Sequence, residues 1–266
     1  MGIFICPVCG QALDCHERVF RCERGHSFDI AKEGYVNLLS SNKSGDATGD
    51  NRTMARSRRD FLDKGYFAPL AEAVCDLVNR YSADGDSVLD VCCGEGYYTD
   101  FLSRQLDRQY YGFDLSKSMV RLAAKRRCGA RFFVANNTSI PLKSGSVKAA
   151  FHLFAPFHAA EFSRVIADDG VIITAVAGKN HLFGLKRVLY DTPYFNDEQP
   201  PAADGLRLAD TVRVRGEIEL PSQEDISALF KMTPYYYHTP SEGMRRSQEL
   251  DALTTEIEFV IYIYKK

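Results

Sequence analysis

The stretch that most constrains this chain is Val88-Leu89-Asp90-Val91-Cys92-Cys93-Gly94-Glu95-Gly96-Tyr97-Tyr98. A short apolar run ends at an acidic residue, turns through small residues and continues into helix-forming sequence. Strand, glycine loop and helix in that order is how doubly wound α/β folds hold a nucleotide-like ligand. Gly94 and Gly96 let the backbone approach a ligand where a side chain would stand in the way. The bland alternative is an αβ turn that holds nothing, since short motifs of this kind arise cheaply.

Two cofactors compete for the loop. A dinucleotide fingerprint wants a third glycine three residues after the second, and Thr99 stands there. An S-adenosylmethionine loop wants an acidic residue at the strand end and a tight Gly-x-Gly, supplied by Asp90, Gly94 and Gly96. Downstream, Tyr110-Tyr111-Gly112-Phe113-Asp114 reads as a second strand ending in a carboxylate able to accept both ribose hydroxyls, which suits either cofactor. The missing glycine and the early Asp90 favour S-adenosylmethionine.

With 266 residues the chain is long enough for one large α/β domain and a small appendage. No apolar run reaches bilayer length, and Cys6, Pro7 and Cys9 so early do not resemble a cleaved signal peptide. The expectation is a cytoplasmic protein with no membrane partner. A net charge of -2 gives no global attraction to nucleic acid, so any RNA contact must come from a local patch. Eight cysteines in such a compartment argue for metal binding or inert burial rather than disulfides.

Four of those cysteines crowd the start. Cys6, Cys9, Cys22 and His26 are spaced C-x2-C-x12-C-x3-H. A knuckle with two thiolates and a second pair returned by a hairpin make a closed tetrahedral site, the form of structural zinc. Val19-Phe20-Arg21 reads as the strand feeding Cys22, and metal binding would supply the folding energy of so small a lobe. Cys15 and His16 read as spectators. Ser40 to Gly49 is rich in Ser, Asn, Gly and Asp and reads as a linker. Arg52, Arg56, Arg58, Arg59 and Lys64 follow, against Asp60 and Asp63. They suit a phosphate backbone, and equally a solvated helix face.

Beyond position 66 the pattern alternates. A helix is expected from Tyr66 to Tyr81, then strand 88–91, helix 99–106, strand 110–114, and a helix capped by Ser116. Arg131 to Ala135 is the third strand; Asn136 at its end offers an amide to an adenine edge, or is a polar turn residue. Val147 to Phe154 is the fourth strand, whose end adjoins the place for the transferred group. His152 and His158 beside it are the candidates for a base. Asp168-Asp169-Gly170 reads as a turn before the fifth strand, 171–176. His181 opens the next helix, near the ligand crevice. A helix capped by Ser222 and an antiparallel last strand, 257–264, complete a mostly parallel, Rossmann-like sheet. The domains read as a zinc lobe over 1–39, a basic linker over 40–65 and a methyltransferase domain over 66–266.

In the order and spacing of its motifs the chain resembles the RlmA (RrmA) type of 23S rRNA guanine-N1 methyltransferase, essentially end to end. The matches are Cys6-Pro7-Val8-Cys9 with Cys22 and His26, Phe28-Asp29, and Ala31 to Leu39. They continue through Arg58-Arg59-Asp60-Phe61-Leu62-Asp63, Cys93-Gly94-Glu95-Gly96-Tyr97-Tyr98, Phe154-Ala155-Pro156, His181-Leu182 and Met232-Thr233-Pro234. The resemblance implies a zinc lobe that helps recognise a 23S rRNA hairpin, and a class I methyltransferase domain using S-adenosylmethionine. It puts Cys6, Cys9, Cys22 and His26 at the zinc positions and Gly94, Glu95 and His181 at cofactor contacts. Phe67 stands where the family has a tyrosine, with Tyr66 carrying the hydroxyl next door. A homodimer is compatible with the family. Two rival readings are a small-molecule methyltransferase whose zinc is purely structural, and a zinc-ribbon RNA-binding protein without catalysis. An intact Asp90, Gly94, Gly96 and Asp114 set argues against the second.

Overall fold

The computed structural model describes residues 2–39 and 52–266, with Arg52 and Thr53 described in their backbone alone. The Ser40 to Gly49 linker and the Arg52 side chain, one of the expected RNA contacts, lie outside the described residues.

Strands β1 (Asp14–His16), β2 (Val19–Arg21) and β3 (Ser27–Asp29) form a small antiparallel sheet in the first lobe. The large sheet uses β4 (Val36–Asn37), β5 (Ser87–Val91), β6 (Gln109–Asp114), β7 (Arg131–Val134), β8 (Val147–Leu153), β9 (Ile166–Ala177), β10 (Arg207–Leu220) and β11 (Leu253–Lys265). Their order is β10-β11-β9-β8-β5-β6-β7-β4. Pairing is parallel from β4 to β9, while β11 runs antiparallel to both β9 and β10. The helices are α1 (Arg52–Asp63), α2 (Ala68–Tyr81), α3 (Tyr97–Ser103), α4 (Lys117–Ala124), α5 (Ala159–Val165), α6 (Phe183–Leu189), α7 (Gln223–Met232) and α8 (Ser241–Gln248). This is the doubly wound architecture expected, with the antiparallel closing strand. Among the described residues no helix is long and apolar enough to cross a membrane.

Local chemistry sets these elements. Val88, Leu89 and Val91 of β5 are all buried, as a central parallel strand covered on both faces requires. Ser116 caps α4 by accepting the Met119 N–H at 3.4 Å, and Ser222 caps α7 by accepting the Asp225 N–H at 3.2 Å.

Two expectations need correction. Asp168-Asp169-Gly170 is not a turn between elements but part of β9. There the pairing with β8 slips, from Val147 opposite Ile166 to Ala149 opposite Val171. The strand absorbs the polar residues as an irregularity, with Asp169 on Lys148 at 2.6 Å. The regular alternation of strand and helix also fails once, because residues 135–146 between β7 and β8 contain no helix. The zinc lobe covers the sheet beside that connection instead. Phe4 packs edge-on against Tyr111 and Phe133, with ring centroids 5.7 and 5.1 Å apart. Ile5 N–H reaches Pro141 O at 3.0 Å. Cys6, Leu13, Cys22, Val36 and Leu38 share one apolar cluster with Leu89, Val91, Phe113 and Phe133. The opposite face packs against α2, α3 and α6.

Candidate active site and metal centre

The glycine loop leaves the carboxyl end of β5, and its two glycines serve different ends. Gly96 has φ +82, and a Cβ there would lie 2.8 Å from Ala123 Cβ, so helix packing demands glycine. Gly94 has φ +54, and a Cβ would meet nothing nearer than Arg58 Nη1 and Met119 Cε at 3.9 Å. That open space is what a cofactor backbone approach needs. Asp114, closing β6, accepts the Gly94 N–H at 3.0 Å and the Ser116 N–H at 2.8 Å. Each carboxylate oxygen keeps acceptor capacity for a ribose hydroxyl.

Asp90 lies beneath the loop, where Thr99 Oγ1 donates to it at 2.5 Å. Burial pushes its carboxyl up to about 8; the Thr99 hydroxyl works against that shift and the Asp114 charge adds to it. Thr99, the residue that breaks the dinucleotide pattern, is therefore the partner of Asp90.

The structure brings Phe67 and His181 together, 5.7 Å between ring centroids, with Phe259 of β11 packed on both at 5.0 and 4.7 Å. His181 Nδ1 accepts the Glu258 N–H at 3.2 Å, which leaves the proton of the neutral ring on Nε2. Burial, helped by the Lys186 charge and opposed by that of Glu258, holds its pKa down to about 3, so the ring is a neutral donor at physiological pH. Asn196 steadies this loop by donating to Gly178 O at 2.9 Å and His181 O at 3.0 Å.

Glu95 is committed to the protein's own framework. Its carboxylate, 1% exposed, forms a buried ion pair with Arg126, which also reaches Asp63 of α1 at 2.8 Å and Asp100 of α3 at 3.4 Å. The side chain ties loop, α1 and α3 together through Arg126 and leaves Oε1 without a hydrogen-bond partner. Arg56 pairs with Asp60 at 3.7 Å and Arg59 with Asp63 at 3.4 Å, both on the surface of α1. Lys64 pairs with Asp225 of α7 at 2.5 Å. Arg58 reaches the Gly94 loop rather than standing with the other arginines.

His152 does not open on the crevice. It is 1% exposed, between Phe157 and Phe162, with Nδ1 3.1 Å from Thr174 Oγ1. Burial lowers its pKa to about 4, a ring kept neutral by the core. His158 is the half-buried N-cap residue of α5. Asn136 spends Oδ1 on the Thr138 N–H and hydroxyl, at 3.0 and 2.9 Å, a self-contained turn. Sequence reasoning missed Phe259 and Arg126, which lie far along the chain from the residues they touch. It also missed a cavity of about 270 Å³ lined by Arg104, Arg108, Tyr110 and Cys128, beside the amino end of β6 and remote from the glycine loop.

In the first lobe the ligand atoms of Cys6, Cys9, Cys22 and His26 all lie within 4.8 Å of one another. Cys9 and Cys22 sulfurs are 3.7 Å apart, and His26 Nδ1 is 3.5 Å from Cys6 Sγ and 3.4 Å from Cys22 Sγ. A tetrahedron with ordinary Zn–S and Zn–N bonds has edges of about 3.8 and 3.6 Å, so the donor set fits zinc with Nδ1 as ligand. Cys15 is exposed on β1 and bonds the Glu17 carbonyl, outside the cluster as expected.

Comparison with known proteins matches both halves. A model described as the RlmA N-terminal zinc ribbon fits residues 4–44, and one described as a methyltransferase domain fits residues 88–168. A 23S rRNA (guanine(748)-N(1))-methyltransferase of Streptomyces fradiae is 30% identical, over 96% of this chain and 95% of that one. The YxjB protein of Bacillus subtilis strain 168, provisionally named a 23S rRNA (guanine-N1)-methyltransferase, is 27% identical over 98% of this chain and 96% of its own. A protein of Micromonospora griseorubida provisionally given the same name is 34% identical over 68% and 67%. With its Cys3His cluster, its S-adenosylmethionine loop and this end-to-end likeness, the chain belongs to the RlmA-type family of 23S rRNA (guanine-N1)-methyltransferases.

Proposed function

We propose that this chain transfers a methyl group from S-adenosylmethionine to N1 of a guanine in a 23S rRNA hairpin, as a homodimer, with residues 1–39 on the RNA side. What carries this reading is likeness over 96% of the chain, at 30% identity, to a protein named for that reaction. The Cys3His cluster and the glycine loop both stand within that span. When bound, S-adenosylmethionine supplies a methyl on a cationic sulfur.

The chain's own residues do the rest. Gly94 gives the cofactor room, Asp114 takes the ribose hydroxyls, and His181 Nε2–H is the donor for the anionic methionine end. Held by these residues the donor would be aligned with the acceptor nitrogen, and alignment would supply much of the rate. N1 of guanine must lose its proton as it gains the methyl, so a base or a contact polarising O6 is required. Of the two candidate histidines, His158 is half-buried whereas His152 is enclosed by the core. Arg56 and Arg59 of α1, whose ion pairs with Asp60 and Asp63 lie at the surface, serve as phosphate contacts that exchange partners on binding.

The test uses purified zinc-loaded protein, methyl-labelled cofactor and 23S rRNA from a strain lacking the gene. Label is expected in 1-methylguanosine after digestion to nucleosides. Label in another nucleoside, or none while calorimetry shows cofactor binding, would contradict the proposal.

A further inference from the structure

We infer that Phe154 is the platform on which the target purine stacks, so that the Phe154-Ala155-Pro156 turn is the base-binding subsite of the crevice. The inference rests on the guanine-methylation reading and adds to it the surface that receives the base.

Phe154 follows β8 with φ +58, a backbone conformation that bulky residues rarely adopt. Strain is kept where the surroundings over-determine it, and here they do. Phe154 N–H donates to Ala175 O at 3.1 Å, and Asn137 Nδ2 donates to Pro156 O at 3.2 Å, pinning the turn from both sides. Core packing does not explain the arrangement. The ring contacts Phe259, centroids 5.7 Å apart, yet the residue stays 47% exposed. A large aromatic held in a strained turn and left half open calls for something that will cover it.

Its place says what that is. β8 lies next to β5, with His152 opposite Val91, so Phe154 stands beside the start of the glycine loop at the carboxyl end of the sheet. In folds of this kind the crevice at that end holds the ligand. On its inner side the ring continues through Phe259 to His181 and Phe67, centroids 4.7 and 5.0 Å from Phe259. One side of Phe154 therefore faces the donor cluster and the other is open. Other exposed aromatics are already engaged: Phe195 stacks on Phe183 at 4.6 Å and 10°, the Tyr194 ring takes the Lys186 ammonium at 4.1 Å from its centroid, and the Tyr237 hydroxyl meets Met54.

A guanine to be methylated at N1 must leave its stack, because N1 is on the Watson–Crick edge. An aromatic side chain that takes up the purine face replaces the lost stacking and leaves that edge free for the methyl. Phe154 touches the substrate through its ring alone, so a larger aromatic should substitute and an aliphatic of similar bulk should not.

The test is single-turnover methylation of unmodified 23S rRNA by the full chain, with wild type, Phe154→Ala, Phe154→Leu and Phe154→Trp measured side by side. Calorimetry with S-adenosylmethionine and thermal melts establish that each variant folds and binds the donor. Phe154→Ala and Phe154→Leu are expected to lose about 10- to 100-fold in kcat/KM for RNA, and Phe154→Trp less than about 5-fold. Donor affinity should stay within about 2-fold of wild type throughout. Retention of activity by Phe154→Ala would overturn the inference, as would rescue by Leu equal to that by Trp. A loss of donor affinity parallel to the loss of rate would also overturn it, by assigning Phe154 to the cofactor pocket. Wild-type protein that binds the donor but leaves the RNA unmethylated would overturn the underlying reading, and this inference with it.

Discussion

The metal centre and the methyl-transfer crevice are built in opposite ways. All four ligands of the first come from positions 6 to 26, on one small sheet and its knuckles. The crevice we propose draws Phe67 from before α2, Asp90 and Gly94 from the end of β5, Asp114 from β6, His181 from before α6 and Phe259 from β11. A local site can be held by bond geometry and a metal; a dispersed one exists only if the whole sheet is in register. The two are nevertheless not independent, because Cys6 and Cys22 sit in the same apolar cluster as Leu89 and Val91 of β5. The lobe fills the sheet face beside a connection that carries no crossover helix, so the metal also supports the strands that carry the crevice.

The largest effect should come from removing the metal. Structural zinc contributes on the order of 10 kcal/mol to the folding of small metal lobes. Chelation, or Cys22→Ser, is expected to lower the melting temperature of the entire chain by more than about 10 °C in calorimetry. Two separate transitions, with the upper one unmoved, would show that the shared core does not couple the regions. Next is Arg126→Met, which leaves Glu95 buried without its counter-charge. It should cost about 3–5 kcal/mol in urea unfolding, with zinc content unchanged.

The two glycines refine the contrast within the crevice. Gly96→Ala meets Ala123 at 2.8 Å in a left-handed backbone and should cost roughly 2–3 kcal/mol of stability. Gly94→Ala has open space around it and should cost only about 1 kcal/mol. Its main effect should fall on cofactor affinity, read by calorimetry. The reverse ranking would mean that Gly94 serves the fold rather than the ligand.

The remaining effect is a pH dependence. Burial holds His152 at about 4, against 6.5 for a free histidine. Between those values the unfolded chain binds a proton that the folded one does not, so stability falls as pH falls through the window. His152→Gln should flatten that acid limb by up to about 3 kcal/mol in denaturant titrations at successive pH values, leaving zinc and cofactor binding alone. An unchanged slope would remove His152 as its cause.

The metal centre was legible because its ligands are near neighbours in sequence and their spacing is itself the geometry. The strands were legible from apolar runs, and α4 and α7 from Ser116 and Ser222. Legibility failed where one residue's role depends on a distant one. Glu95 carries a family motif, but only the fold shows Arg126 closing on it. Phe154 gives no local sign of a left-handed backbone, since neither glycine nor asparagine marks the position. Asp168-Asp169-Gly170 has turn composition, yet the β9 pairing overrides it. A helix after β7 was implied by rhythm alone, and nothing in residues 135–146 announces that the first lobe covers the sheet beside them.

Together these two regions make a guanine-N1 methyltransferase of 23S rRNA. Primer extension on 23S rRNA tests it most directly, because a methyl on the Watson–Crick edge stops the polymerase. RNA from cells carrying the gene should give a stop one residue before a guanine, absent on deletion and restored by wild-type protein but not by Cys22→Ser. A stop pattern identical with and without the gene would contradict the account.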